Sequence, residues 1–166
     1  FHSQWPSVAT LDALADTPYY RALFAREFDT FILTAFRPGR SAAYWRESFS
    51  ADDEQAEEAC FASLTRHLLR TYTHTRKTFI IQNWEGDWAL RGSFDPSTKP
   101  TPAATAAMIR WLAARQRGAG VPAAGPTATV RRTLGRTQLS VDVTAAEINL
   151  VSRAADAVVQ LHARVL

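Results

Sequence analysis

Asn83-Trp-Glu-Gly-Asp-Trp88 sets an amide, two carboxyl groups and two indoles within six residues. Paired carboxyl groups suit acid–base work on an ether-like oxygen: one can protonate a leaving oxygen while a second attacks or activates water. Indoles offer apolar faces to flat or ring-shaped ligands, and an amide can hold hydroxyl groups. The segment leading in, Thr78-Phe-Ile-Ile-Gln82, is apolar and β-branched, which predicts a strand buried on both faces. Alternation along that strand puts Phe79, Ile81, Asn83 and Glu85 on one face and Ile80, Gln82 and Trp84 on the other. Gly86 permits a sharp turn, after which Asp87 and Trp88 open a loop at the strand's mouth. A strand whose polar end is merely solvated would read the same way, and the pattern alone leaves both readings open.

The elements that must carry these groups follow from periodicity and caps. Residues 1–10 read as an incoming loop, Leu11–Ala15 as a short helix, and Thr17-Pro18 as an N-cap followed by proline, opening a helix to about Arg26. Asp29–Phe36 reads as a buried strand ending in the turn Arg37-Pro38-Gly39, and a loop with Tyr44 and Trp45 follows. Ser50 and Asp53 have the spacing of a capping box, with Asp in place of the usual Glu. The helix they open runs to about Tyr72 with Cys60, Phe61, Leu64, Leu68 and Tyr72 on its packing face. Cys60 belongs to that stripe and reads as core rather than as a nucleophile.

After the focal strand, residues 92–100 form a loop, and Thr101-Pro102 opens a helix through about Gln116, packed by Met108, Ile109, Trp111 and Leu112 and stopped at Gly118. Residues 118–138 are rich in Gly, Pro, Ala and Arg and read as a mobile or inserted loop, with Arg131, Arg132 and Arg136 as a solvated basic cluster. Period two returns at Leu139, Val141, Val143 and Ala145, and the same face continues into Glu147 and Asn149. Residues 151–166 give a last helix. Alternating strands and helices of this length predict a parallel sheet covered by helices. Arg37, then Asn83, Glu85, Asp87 and Trp88, then Glu147 and Asn149 would stand at three successive C-terminal strand ends, where such folds gather binding groups.

Composition narrows the function classes. The hydrophobic fraction of 46% over 166 residues is that of a chain with a core. The +3 formal charge arises from arginines scattered among acids, with Lys77 and Lys99 as the two lysines, and such scatter argues against a nucleic-acid-binding face. No run approaches the roughly 20 apolar residues of a membrane span. His2, His67, His74 and His162 are dispersed, and neither a phosphate loop nor a nucleophile elbow is present, so no metal or cofactor is expected. Cys60, the single cysteine, excludes an internal disulfide.

Thr78–Trp88, the Thr-Pro-opened helix containing Ile109-Arg-Trp-Leu-Ala-Ala-Arg115, and Ala145-Ala-Glu-Ile-Asn149 together resemble the middle of a (β/α)8-barrel glycoside hydrolase. The likeness is to the retaining, cellulase-like superfamily, in which an Asn-Glu pair ends the fourth strand and a nucleophilic Glu ends the seventh. It implies an α/β fold, a partial TIM barrel of three parallel strands alternating with helices, with residues 1–166 forming one partial domain. Asp29–Phe36, the focal strand and Leu139–Asn149 would be barrel strands three, four and five.

By that resemblance Glu85 is the general acid/base, and Asn83, Asp87, Trp88, Glu147, Asn149 and Arg37 line a site for a carbohydrate substrate. Here Trp84 stands between Asn83 and Glu85, where the superfamily has the pair adjacent. A barrel takes about 250 residues, so the remaining strands and the nucleophile are expected outside this chain, which alone would be inactive. Two other readings share these residues: a non-catalytic barrel relative that binds a glycan, and a small flavodoxin-like open sheet without a sugar site.

Overall fold

A computed structural model describes residues 8–83 and 87–120, together with the backbone of 129–133; of Asp87 the backbone alone is described. The elements are α1 (Leu11–Ala15), α2 (Pro18–Phe24), β1 (Thr30–Thr34), a 3₁₀ turn (Tyr44–Arg46), α3 (Ala51–Thr71), β2 (Thr78–Gln82), α4 (Asp87–Arg91), α5 (Pro102–Ala119) and β3 (Thr129–Thr133). The three strands form one sheet in the order β1-β2-β3, and both pairings are parallel. The protein is thus a mixed α/β structure with a parallel sheet, as the alternation of elements predicts.

Local chemistry explains where the helices begin. The Ser50 hydroxyl accepts from the Asp53 N–H at 3.0 Å, and the Asp53 carboxylate accepts from the Ser50 N–H at 3.4 Å, completing the capping box. Thr101 caps α5 by accepting from the Ala104 N–H at 3.1 Å, with Pro102 in the first turn. Thr17 precedes Pro18 as expected, but its hydroxyl donates backward to the Leu14 carbonyl at 2.8 Å instead of capping α2.

The hydrogen bond from Ser50, followed by the charges of Arg40 and Arg37, holds the Asp53 carboxyl below the ordinary carboxylate range. An acid depressed on folding contributes stability above its unfolded pKa of about 4 and loses it as pH falls through the folded value. Asp53→Asn is therefore expected to lower the melting temperature at about pH 7 and to change it little at about pH 2. Thermal unfolding followed by circular dichroism at the two pH values checks this.

The helices gather on one face of the sheet. Phe31, Phe79 and Ile81 are buried there with Phe24, Phe61, Leu64 and Leu68. Strand register sets Phe31 opposite Phe79, and their rings stack at 5.6 Å while Phe24 meets each edge-on at 5.2 Å. The expectation of burial on both faces is corrected: Ile32 on the opposite face is 62% exposed, and Ile80 beside it is partly so. Apolar residues on both sides of a strand mark what it is able to bury, and among the described residues only one side is covered.

Beyond the strands' C-terminal ends a second cluster joins the 3₁₀ turn, α4 and α5 through Trp45, Phe49, Leu90, Met108 and Trp111, with the Trp45 and Trp111 rings stacked at 5.4 Å. Helix α5 continues through Gly118, the expected stop, to Ala119. A Cβ at Gly118 would overlap the Glu58 carbonyl oxygen and lie 2.8 Å from the Phe61 Cβ, so the missing side chain is what lets α5 lie against α3.

The expected loop over 118–138 also holds structure. Thr129–Thr133 is β3, in register with Thr78–Gln82, so Arg131 and Arg132 belong to a strand rather than to a solvated loop. A five-residue strand among Gly, Pro and Ala carries little local signal, because its pairing partner lies some fifty residues earlier. The strand expected over 139–149 and the helix over 151–166 lie outside the described residues.

Candidate functional site

Parallel strands send their following loops out at the same end, and here those loops make a groove. Residues Ser41–Glu47 after β1 and Trp88–Phe94 after β2 enclose about 360 Å³, lined chiefly by Tyr44, Arg46, Glu47, Trp88, Ser93 and Phe94. Trp88, on α4, stacks on Phe94 at 5.2 Å with an interplanar angle of 22°. Phe94 is 82% exposed and Trp88 packs against the second core cluster, so the shelf presents the outer face of Phe94 to solvent with Trp88 behind it. Gly92 makes the bend between them with φ at 69°, a conformation costly for residues with a Cβ.

The opposite wall is fixed from below by buried charge. Glu57 of α3 has no exposed surface and Arg115 of α5 is 4% exposed, and they pair at 3.0 Å. Glu57 also accepts from the Trp111 Nε1–H at 3.0 Å and from the Tyr44 hydroxyl at 2.7 Å. Arg115 donates its other arm to the Ala35 carbonyl, just past β1, at 2.8 Å, and its guanidinium lies over the Phe61 and Trp111 rings. Burial lowers Arg115 to about 10, against the pull of Glu57, and it stays charged at neutral pH. Burial, reinforced by Glu57, pushes the Tyr44 phenol well above its ordinary range, so it remains a donor. One buried carboxylate therefore ties α3, α5 and the 3₁₀ turn together and sets the position of Tyr44 in the groove wall.

The residues expected to form the site divide as follows. Trp88 lines the groove. Arg37 stands behind it, its guanidinium 5.8 Å from the centre of the Tyr44 ring and 3.4 Å from Asp53. Asn83 is half-buried directly after β2, and Asp87 begins α4. Glu85, Glu147 and Asn149 lie outside the described residues. The place beside β2 expected for Leu139–Asn149 is taken by Thr129–Thr133, so the expectation that Glu85 and Glu147 end neighbouring strands is corrected. Cys60 packs against the core, and burial raises its thiol to about 11, which keeps it protonated and a poor nucleophile.

Tyr44, Arg46, Glu47 and Phe94 were not read as site residues from the sequence, nor were Glu57 and Arg115. The last two did leave a signal: Glu57 continues the stripe of Phe61, Leu64 and Leu68, and Arg115 that of Met108 and Trp111. Opposite charges on the apolar faces of two helices announce a buried pair.

Compared with known families, curated proteins and solved structures, the chain matches none. The site is therefore read from its own geometry. Among the described residues no group of three or more His, Cys, Asp or Glu side chains is placed to hold a metal, and no helix is long and apolar enough to cross a membrane. What the groove offers is an aromatic platform, a fixed phenol, a guanidinium and a carboxylate, a set suited to a ring-shaped, hydroxyl-rich ligand.

Proposed function

We propose that this chain is the central part of a (β/α)8 barrel and that the polypeptide carrying it hydrolyses O-glycosidic bonds, with Glu85 as general acid/base. The observation that carries the proposal is the exposed Phe94 face, backed by Trp88 and standing at the C-terminal ends of parallel strands. Sugar rings present apolar C–H faces to such a platform, and Glu85 precedes Trp88 by three residues.

The sheet supports the barrel reading in three ways. Its strands are ordered sequentially, its helices lie on one face, and the other face exposes Ile32 as the interior of an incomplete barrel would. Beside β1, which has a strand partner on one side only among the described residues, runs an apolar groove of about 430 Å³ lined by Leu11, Leu14, Leu23 and Leu33. The preceding barrel strand and its packing would lie there.

In the proposed reaction the Glu85 carboxyl gives its proton to the departing oxygen and then, as carboxylate, accepts one from the water that completes hydrolysis. Asn83 holds a sugar hydroxyl, and the nucleophile comes from the strands that complete the barrel. Binding tests the shelf apart from catalysis. Oligosaccharides titrated into the full chain should change its tryptophan fluorescence saturably, and Trp88→Ala should weaken binding about tenfold or more. Absence of saturable binding by any neutral or charged oligosaccharide would overturn the carbohydrate assignment. Binding unchanged by Trp88→Ala would remove the shelf from it.

A further inference from the structure

Arg46 is the groove residue whose chemistry stacking does not use. It ends the 3₁₀ turn, is partly buried, and lays its guanidinium across Gly92 so closely that a Cβ there would overlap Nη2, Cζ and Nε. The guanidinium is thus held in place by a backbone surface rather than by an acid. Its Nε is enclosed without a hydrogen-bond partner.

Neighbouring arginines are answered differently. Arg37 and Arg40 pair with Asp53, Arg110 and Arg117 with Glu54, and Arg115 with Glu57. Glu47 follows Arg46 in sequence and lines the same groove, yet no ion pair joins them. A partly desolvated guanidinium with no ion pair among the described residues, beside an aromatic platform, can engage a carboxylate through its two Nη groups.

We propose that the groove takes an acidic sugar, a uronate, and that Arg46 is the specificity-determining residue that binds its carboxylate. The inference rests on the carbohydrate reading given above and narrows its substrate class. A pyranose ring stacked on the shelf carries its C5 substituent at the ring edge, and Arg46 lines the same groove, so one orientation of the ring brings that substituent to the guanidinium. In a neutral sugar that substituent is a hydroxymethyl group, which cannot engage both arms of the guanidinium with charge. In a uronate it is a carboxylate, which can.

The test uses the full chain and isothermal titration calorimetry with tetrasaccharides of galacturonate, mannuronate and glucuronate, each beside its carboxyl-reduced counterpart. At least one uronate is expected to bind about tenfold or more tightly than its reduced twin, with the preference declining as salt rises. Arg46→Gln should bring the two affinities together, while Arg46→Lys should keep part of the difference, since it retains charge without the planar fork. Equal binding of uronate and reduced twin by the unaltered protein overturns the inference and leaves the carbohydrate reading standing. Failure of both to bind overturns the two together. A preference that survives Arg46→Gln, in a variant whose melting temperature shows it folded, overturns the role of Arg46. Should Arg46→Gln fail to fold, the comparison of twins on the unaltered protein and the Arg46→Lys variant decides.

Discussion

Arg115→Met is expected to destabilise the chain by about 3–5 kcal/mol, a large part of the stability of a domain this size. The reason is the partner left behind. Glu57 has no exposed surface, and without Arg115 it must either keep an uncompensated charge away from water or take up a proton. The Ala35 carbonyl would lose a donor as well. Replacing both members of the pair by apolar residues of similar size, Glu57→Leu with Arg115→Met, should recover part of the loss, because it removes both desolvated charges together but leaves the Trp111 Nε1–H and the Ala35 carbonyl without these partners.

Urea denaturation of the single and double variants measures the difference. A single variant as stable as the parent would show that the pair is not the tie between α3 and α5. The double variant carries a second expectation, because the Tyr44 hydroxyl donates to Glu57. With Glu57 gone Tyr44 has lost the carboxylate that fixes it, so on the proposed carbohydrate reading the chain should stay folded and bind oligosaccharide more weakly.

The capping box of α3, the Thr-Pro opening of α5, helix α1 and the apolar runs of β1 and β2 were legible because each is written in adjacent residues. Ser50 and Asp53 satisfy each other's backbone within one turn, whatever the rest of the chain does. Strand β3 was not, since Thr129–Thr133 is ordered by pairing with Thr78–Gln82 and its flanks carry no alternation. Nor was the one-sided burial of the sheet, because Ile32 and Ile80 are as apolar as residues meant for a core.

The site was legible in part for the same reason. Trp88 was found from its place after a strand end, whereas Arg46 and Phe94 join it only because two loops separated by a whole helix and strand meet. Glu57 and Arg115 went unnoticed because each alone is a stray charge on an amphipathic helix. Only their pairing across two helices gives them meaning.

The other large effect concerns Glu85. On the proposed reading as a barrel glycosidase, Glu85→Ala in the full polypeptide should slow hydrolysis of glycosides with poor leaving groups by about 10²–10⁴-fold, the range a positioned proton donor supplies. Aryl glycosides with strongly acidic leaving phenols need little protonation, so their bond cleavage should be far less affected. The second step then becomes limiting, for no base remains to activate water against the covalent intermediate. Glu147→Ala, by contrast, would on the same proposal remove a binding or pKa-setting group and should weaken both substrates similarly.

Azide needs no base to attack that intermediate. The decisive measurement is therefore the product that Glu85→Ala forms from an activated aryl glycoside in azide, identified by nuclear magnetic resonance. A glycosyl azide of retained anomeric configuration, formed at a rate that rises with azide, is the expected result. Equal loss on poor and activated substrates with no azide product would contradict the assignment, removing Glu85 from the acid/base role and leaving the groove as a glycan-binding site without catalysis.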